Sequence, residues 1–148
     1  MIYSDKQRCL MKKRLSLLIL PIITIILEIL PYGAALNFAH QCLDGCTGTT
    51  RVLYSYFDTF PIGYANFAPF LTAIISCSIL LLLIIFCITN NQHIMHSARI
   101  ILGVCTAISL IPLLIKGASV IGFLISITLI VELILLFVVK TQESKIDK

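Results

Sequence analysis

This sequence has no tryptophan, three histidines and little charge: Asp, Glu, Lys and Arg make up 12% of its 148 residues. A soluble domain is about half apolar and about a quarter charged. Here 59% of the residues are hydrophobic, leaving too few polar side chains to cover a water-soluble globule. Phosphate loops are absent, as is any Ser-His-Asp order with credible spacing. No segment repeats another, which argues against an inverted-repeat transporter within one chain. These absences point away from an enzyme and away from a soluble fold, and no cofactor is expected.

What the sequence does have is long apolar runs. They cover about residues 15–36, 69–89, 97–115 and 118–139. At 1.5 Å per residue each reaches roughly 29–33 Å, enough for one bilayer crossing. Only helices satisfy every backbone group in such a segment. The expectation is therefore all-α: a four-transmembrane-helix bundle in a single membrane domain over 1–148, with an aromatic-rich outer loop at about 37–68. Pro69 suits a first helical turn, and Asn90-Asn91 and Gly117 suit helix ends. Pro21, Pro31 and Pro112 fall inside or near helix ends, where each removes a backbone hydrogen bond.

The net charge of +4 matters less than its placement. Lys6, Arg8, Lys12, Lys13 and Arg14 precede the first run, Arg99 opens the third, and Lys140, Lys145 and Lys148 follow the last. Only Arg51 and Lys116 fall on the opposite side of four crossings. Nine against two puts both termini in the cytoplasm of a cell membrane. This is a topology signal with some attraction for anionic lipid, and it gives no reason to expect nucleic acid. A cleaved signal peptide is the rival reading of residues 1–35. Its apolar region runs about 7–15 residues, whereas this run has 22 and contains Glu28 and two prolines.

Residues 54–70, "YSYFDTFPIGYANFAPF", hold seven of the thirteen Phe and Tyr in the chain. Such rings suit the zone between lipid tails and water, where they would cap the outer end of the bundle. They also suit a contact surface. Tyr54, Tyr56, Phe57, Asp58 and Tyr64 are the candidate partner-binding residues, with Asp58 placed to orient a cationic or hydroxylated group. "YSYFD", "GYANFAPF" and "LTAIISCSILLLLIIF" resemble a group of small, uncharacterised four-span bacterial membrane proteins over about residues 32–90. That resemblance implies the topology and carries no activity.

Of the six cysteines, Cys42 and Cys46 fall in the outer loop and are a candidate disulfide around Leu43-Asp44-Gly45. Four-span disulfide-generating quinone reductases also place a cysteine pair in the first outer loop. Theirs is C-x-x-C and needs a second outer pair; here the spacing is C-x-x-x-C and "KGAS" supplies no second pair. His40, Cys42, Asp44 and Cys46 offer zinc-type atoms without a zinc spacing, so no metal is expected. Cys9, Cys77, Cys87 and Cys105 read as small apolar packing residues. His93 and His96 read as solvated residues of the inner loop.

Glu28 and Glu132 are the two acids inside apolar runs. A charged carboxylate at bilayer centre costs at least about 2.5 kcal/mol, so each should be protonated, hydrogen-bonded or turned inward. On ideal helices they sit at different depths, which argues against a direct pair. Two function readings follow. The first is a non-catalytic multi-pass protein that binds a partner protein, a lipid or a second copy through its outer loop and bundle face. The alternative is a small proton-coupled transporter using Glu28, with a thiol-disulfide oxidoreductase using Cys42 and Cys46 as a weaker variant. Ala118, Gly122 and Ser126, and Gly103 and Ala107, form small-residue faces that serve bundle packing or dimer formation equally well. The charge bias predicts that a reporter active only in the cytoplasm, fused after Lys148, keeps its activity. Signal from an export-dependent reporter at the same position would reverse the assignment.

Overall fold

The computed structural model describes residues 16–41, 47–58, 67–89, 91–114 and 119–146. The described residues form six elements in chain order: α1 (Ile19–Ile29), β1 (Ala34–Gln41), β2 (Thr47–Tyr54), α2 (Ala68–Thr89), α3 (Gln92–Leu114) and α4 (Val120–Ile146). Cys42, Cys46 and Tyr64 lie outside the described residues, as do Cys9, Lys116 and Gly117.

Three helices, α2, α3 and α4, are long and apolar enough to cross a membrane. Within their apolar windows 33%, 39% and 33% of the residues are buried; the outward faces are therefore apolar as well. Leu81, Ile88 and Ile100 are 61%, 79% and 57% exposed. Side chains of this kind are stable only against lipid or another apolar surface. The buried seam is narrow and runs along the bundle axis: Ala73, Ile79, Leu83 and Phe86 from α2, Met95, Ala98, Leu102 and Cys105 from α3, and Ile125, Leu129 and Leu136 from α4. Helix α2 packs most extensively on α3, and α1 closes the bundle against α4 and α2.

The expected helix at 15–36 is shorter in the structure. It ends at Ile29, and its eleven residues reach roughly 17 Å. Leu30 is extended, at ψ 137°, because the ring of Pro31 excludes the helical region for the residue before it. Residues 34–36 then belong to β1, which pairs antiparallel with β2, Ala34 facing Tyr54 and Gln41 facing Thr47. The segment expected as an outer loop is thus partly a hairpin, and the fold is helical with one two-stranded sheet. Alternation was hidden there by the small residues of "AALNFA" and "TGTTRV".

Two other boundaries move. Helix α3 begins at Gln92, with Asn91 Oδ1 accepting from the His93 amide at 3.0 Å. His93 and His96 are exposed helix residues, not loop residues. Arg99 lies within α3, 7% exposed, with Nε donating to the Leu136 carbonyl at 3.1 Å; it ties α3 to α4 instead of standing in a loop. Helix α4 runs on to Ile146, past the expected end of its apolar run at 139. Pro69 does fall in the first turn of α2, and Pro112 is carried inside α3.

The turn at Gly33 is pressed against the start of α4. Ser119 caps α4: its Oγ accepts from the Gly122 amide at 2.9 Å and donates to the Gly33 carbonyl at 2.7 Å. A Cβ on Gly122 would sit 2.7 Å from that same carbonyl oxygen, and one on Gly33 would sit 2.7 Å from Cδ1 of Tyr56. The Gly122 and Ser126 face is therefore spent inside the bundle, and Ser126 Oγ also donates to the Ser109 carbonyl at 3.1 Å. A Cβ on Gly103 meets nothing within 4 Å, and Ala107 is exposed. Gly122→Ala should lower stability in detergent by about 1–3 kcal/mol, the cost of overpacking against backbone. Gly103→Ala should leave it unchanged or raise it by up to about 1 kcal/mol through helix propensity; thermal unfolding of the two variants side by side checks the contrast.

Candidate functional site: a buried carboxyl cluster beneath an outer cap

Glu28 lies in the last turn of α1 and is 0% exposed. Its place there gives its two ends different partners. Carbonyls in a final helical turn have no partner within the helix. The Glu28 carbonyl is met by the Tyr56 amide at 3.0 Å and by Ser55 Oγ at 2.9 Å. Its carboxyl points into the bundle, where Ser76 Oγ of α2 donates to Oε1 at 2.7 Å. Ser76 Oγ also lies 3.8 Å from Cys105 Sγ of α3, and Cys105 Sγ is directed at the Thr72 carbonyl at 3.8 Å.

Helix α4 supplies the second acid. Glu132 is 3% exposed and lines a crevice with Pro21, Thr24, Ser76, Ile79 and Leu129. Because Ser76 is at once on this crevice and bonded to Glu28, the two acids expected at separate depths meet in one polar cluster. Thr24 extends the cluster by donating to Thr128 Oγ1 at 3.2 Å. Oε2 of Glu28 and Oε1 of Glu132 have no hydrogen-bond partner.

Above this cluster sits the cap. Ser55 and Asp58 close a tight turn: the Ser55 amide donates to Asp58 Oδ2 at 2.8 Å, and the Phe57 amide donates to Ser55 Oγ at 3.2 Å. The Tyr56 side chain is 1% exposed, and its ring and hydroxyl lie against Gly33 and Gly122. Burial raises its hydroxyl above the ordinary tyrosine value. Tyr56 is thus no contact surface, contrary to its expected partner-binding role. Its side chain fills the space between the Gly33 turn and α4. Tyr54 is half-buried, Phe57 is exposed, and Asp58, though exposed, is engaged in its turn.

Beside the cap an open pocket of about 430 Å³ is walled by Tyr32, Arg51 and Leu53 on one side and Ser119, Val120 and Ile121 on the other. Sequence reasoning missed this pocket and also missed Ser76, Cys105 and Thr24. The last three were visible only as single polar or sulfur side chains in apolar runs. The first had no signal, because Tyr32, Arg51 and Val120 are distant in the chain. Among the described residues no group of three or more His, Cys, Asp or Glu is placed to hold a metal ion.

Together these features define a helical membrane protein with a polar interior and a folded cap at one end of the bundle. Comparison with protein-family models, with curated proteins and with solved structures finds no match. The likeness of "YSYFD" and "GYANFAPF" to small four-span proteins therefore rests on the sequence alone.

Among the described residues Ser76 is the donor to the Glu28 carboxyl, and Ser76→Ala removes it. It should destabilise the bundle by about 1–3 kcal/mol. Ser78→Ala, whose hydroxyl bonds only the Ile74 carbonyl on an exposed face, should change stability by less than about 0.5 kcal/mol; unfolding in mixed micelles compares the two.

Proposed function

We propose that this chain is a non-catalytic multi-pass protein of the cell membrane that binds an anionic amphiphile, a lipid in the first instance, through its outer hairpin and bundle face. The observation that carries the reading is the pocket between Arg51 and Leu53 of β2 and the first turn of α4. Its composition matches a lipid at the membrane boundary. Arg51 and the phenol of Tyr32 offer donors for a phosphate, and Leu53, Val120 and Ile121 offer an apolar wall for the first part of an acyl chain. Val120 is 81% exposed and Tyr32 is 55% exposed, so the wall is open to the bilayer side. The reading also takes in the nine-to-two charge bias. In this reading α1 belongs to the first of four crossings and both termini lie in the cytoplasm. The pocket then opens at the outer leaflet, where Tyr and Arg serve as interfacial anchors.

The fixed cap supports the same reading. A pocket built on a hairpin tied to two helices is formed before its ligand arrives, which lowers the cost of binding. In nanodiscs of mixed phosphatidylglycerol and phosphatidylcholine, the chain should retain phosphatidylglycerol preferentially through detergent extraction, read by native mass spectrometry. Arg51→Gln should reduce that retention by about tenfold or more, the loss of roughly one charge-assisted contact. Equal retention by wild type and Arg51→Gln would sink the proposal.

A further inference from the structure

Glu28 and Glu132 come from different helices, are almost wholly removed from solvent, and each keeps one carboxyl oxygen without a partner. Ser76 connects them: it donates to Glu28 and lines the crevice that Glu132 faces. The titratable groups facing Glu28 are Cys77 of α2, Cys105 of α3, Glu132 of α4 and Tyr56 of the cap. None of these carries a positive charge. Arg99 is engaged further along, at the Leu136 carbonyl.

Three protonation states can be compared. With both acids ionised, two like charges sit in the low-dielectric interior on either side of Ser76, each unfavourable there before their repulsion is added. With both neutral, two buried O–H groups need acceptors where one donor, Ser76, already occupies Oε1 of Glu28. With one proton, a single charge remains, an orphaned oxygen becomes a donor, and Ser76 keeps a carboxylate to bond. The crevice is too narrow to admit a water molecule. A hydrated cation is excluded by size and a proton is not.

We propose that Glu28 and Glu132 form a proton-binding site inside the bundle, holding one exchangeable proton between two carboxyl groups. The proton adds to or leaves a carboxylate oxygen, with no other bond made or broken. Its gain or loss changes the interior charge by one unit directly beneath the cap, since the residue that takes part also holds Tyr56 and Ser55 through its carbonyl. The site is independent of lipid binding at the outer pocket, and its test uses membranes without anionic lipid.

The test is infrared difference spectroscopy of the whole chain in phosphatidylcholine nanodiscs, titrated through neutral pH. One buried carboxylic-acid band per chain should be lost as pH rises. Because the two acids titrate as a pair, Glu28→Gln and Glu132→Gln should each move the midpoint by about tenfold or more in proton concentration, or remove the band. Ser76→Ala keeps both acids and should also move the midpoint, which serves if a Gln variant does not fold. The midpoint should be the same in sodium, potassium and choline salts. Loss of no carboxyl band, loss of two, a midpoint untouched by Glu132→Gln, or a midpoint that follows sodium concentration would each overturn the proposal.

Discussion

The last turn of α1 joins the two parts of this protein. At Glu28 the backbone carbonyl accepts from Tyr56 and Ser55 of the cap, and the carboxyl accepts from Ser76 of the bundle. The carbonyl is open to the cap because the helix stops where it does: a helix continued to Tyr32 would have used the Glu28 carbonyl for its own amide bond. Pro31 sets that stop by forcing Leu30 out of the helical region. The start of the hairpin and the seat of Tyr56 follow from this one ending.

A bundle with apolar faces on both sides cannot rely on hydrophobic exclusion to choose its neighbours. Specificity must come from close backbone approach and from polar ties. Gly33 and Gly122 provide the approach, with Ser119 bonding across it. Ser126 to Ser109, Arg99 to Leu136 and Thr24 to Thr128 provide ties between helices. The same small and polar residues that fix the packing also create the interior cluster. Structure and candidate site are therefore built from one set of side chains, and a change in either will be felt in both.

The aromatic segment shows how a composition signal divides once it folds. Its rings were expected to act together as a belt or a contact surface. Instead Tyr56 turns inward as a plug, Phe57 stays at the surface, and Asp58 is consumed in holding the turn. Tyr32, Arg51 and Leu53 instead line an open pocket that the hairpin forms against the start of α4.

The sequence by itself determined the solvent and the long helices. Apolar runs of about twenty residues with little charge have one stable solution in lipid, and α2 differs from its expected span by a single residue at one end. It also marked Glu28 and Glu132 as residues that must be buried with care. Tertiary structure alone decided where the first helix ends, that a hairpin follows, which aromatic residue is buried, and that the two acids meet. Those outcomes depend on contacts between residues far apart in the chain, such as Glu28 with Ser76 and Gly33 with Ser119. No local period or propensity encodes a contact of that kind, because its free energy exists only once the helices are packed.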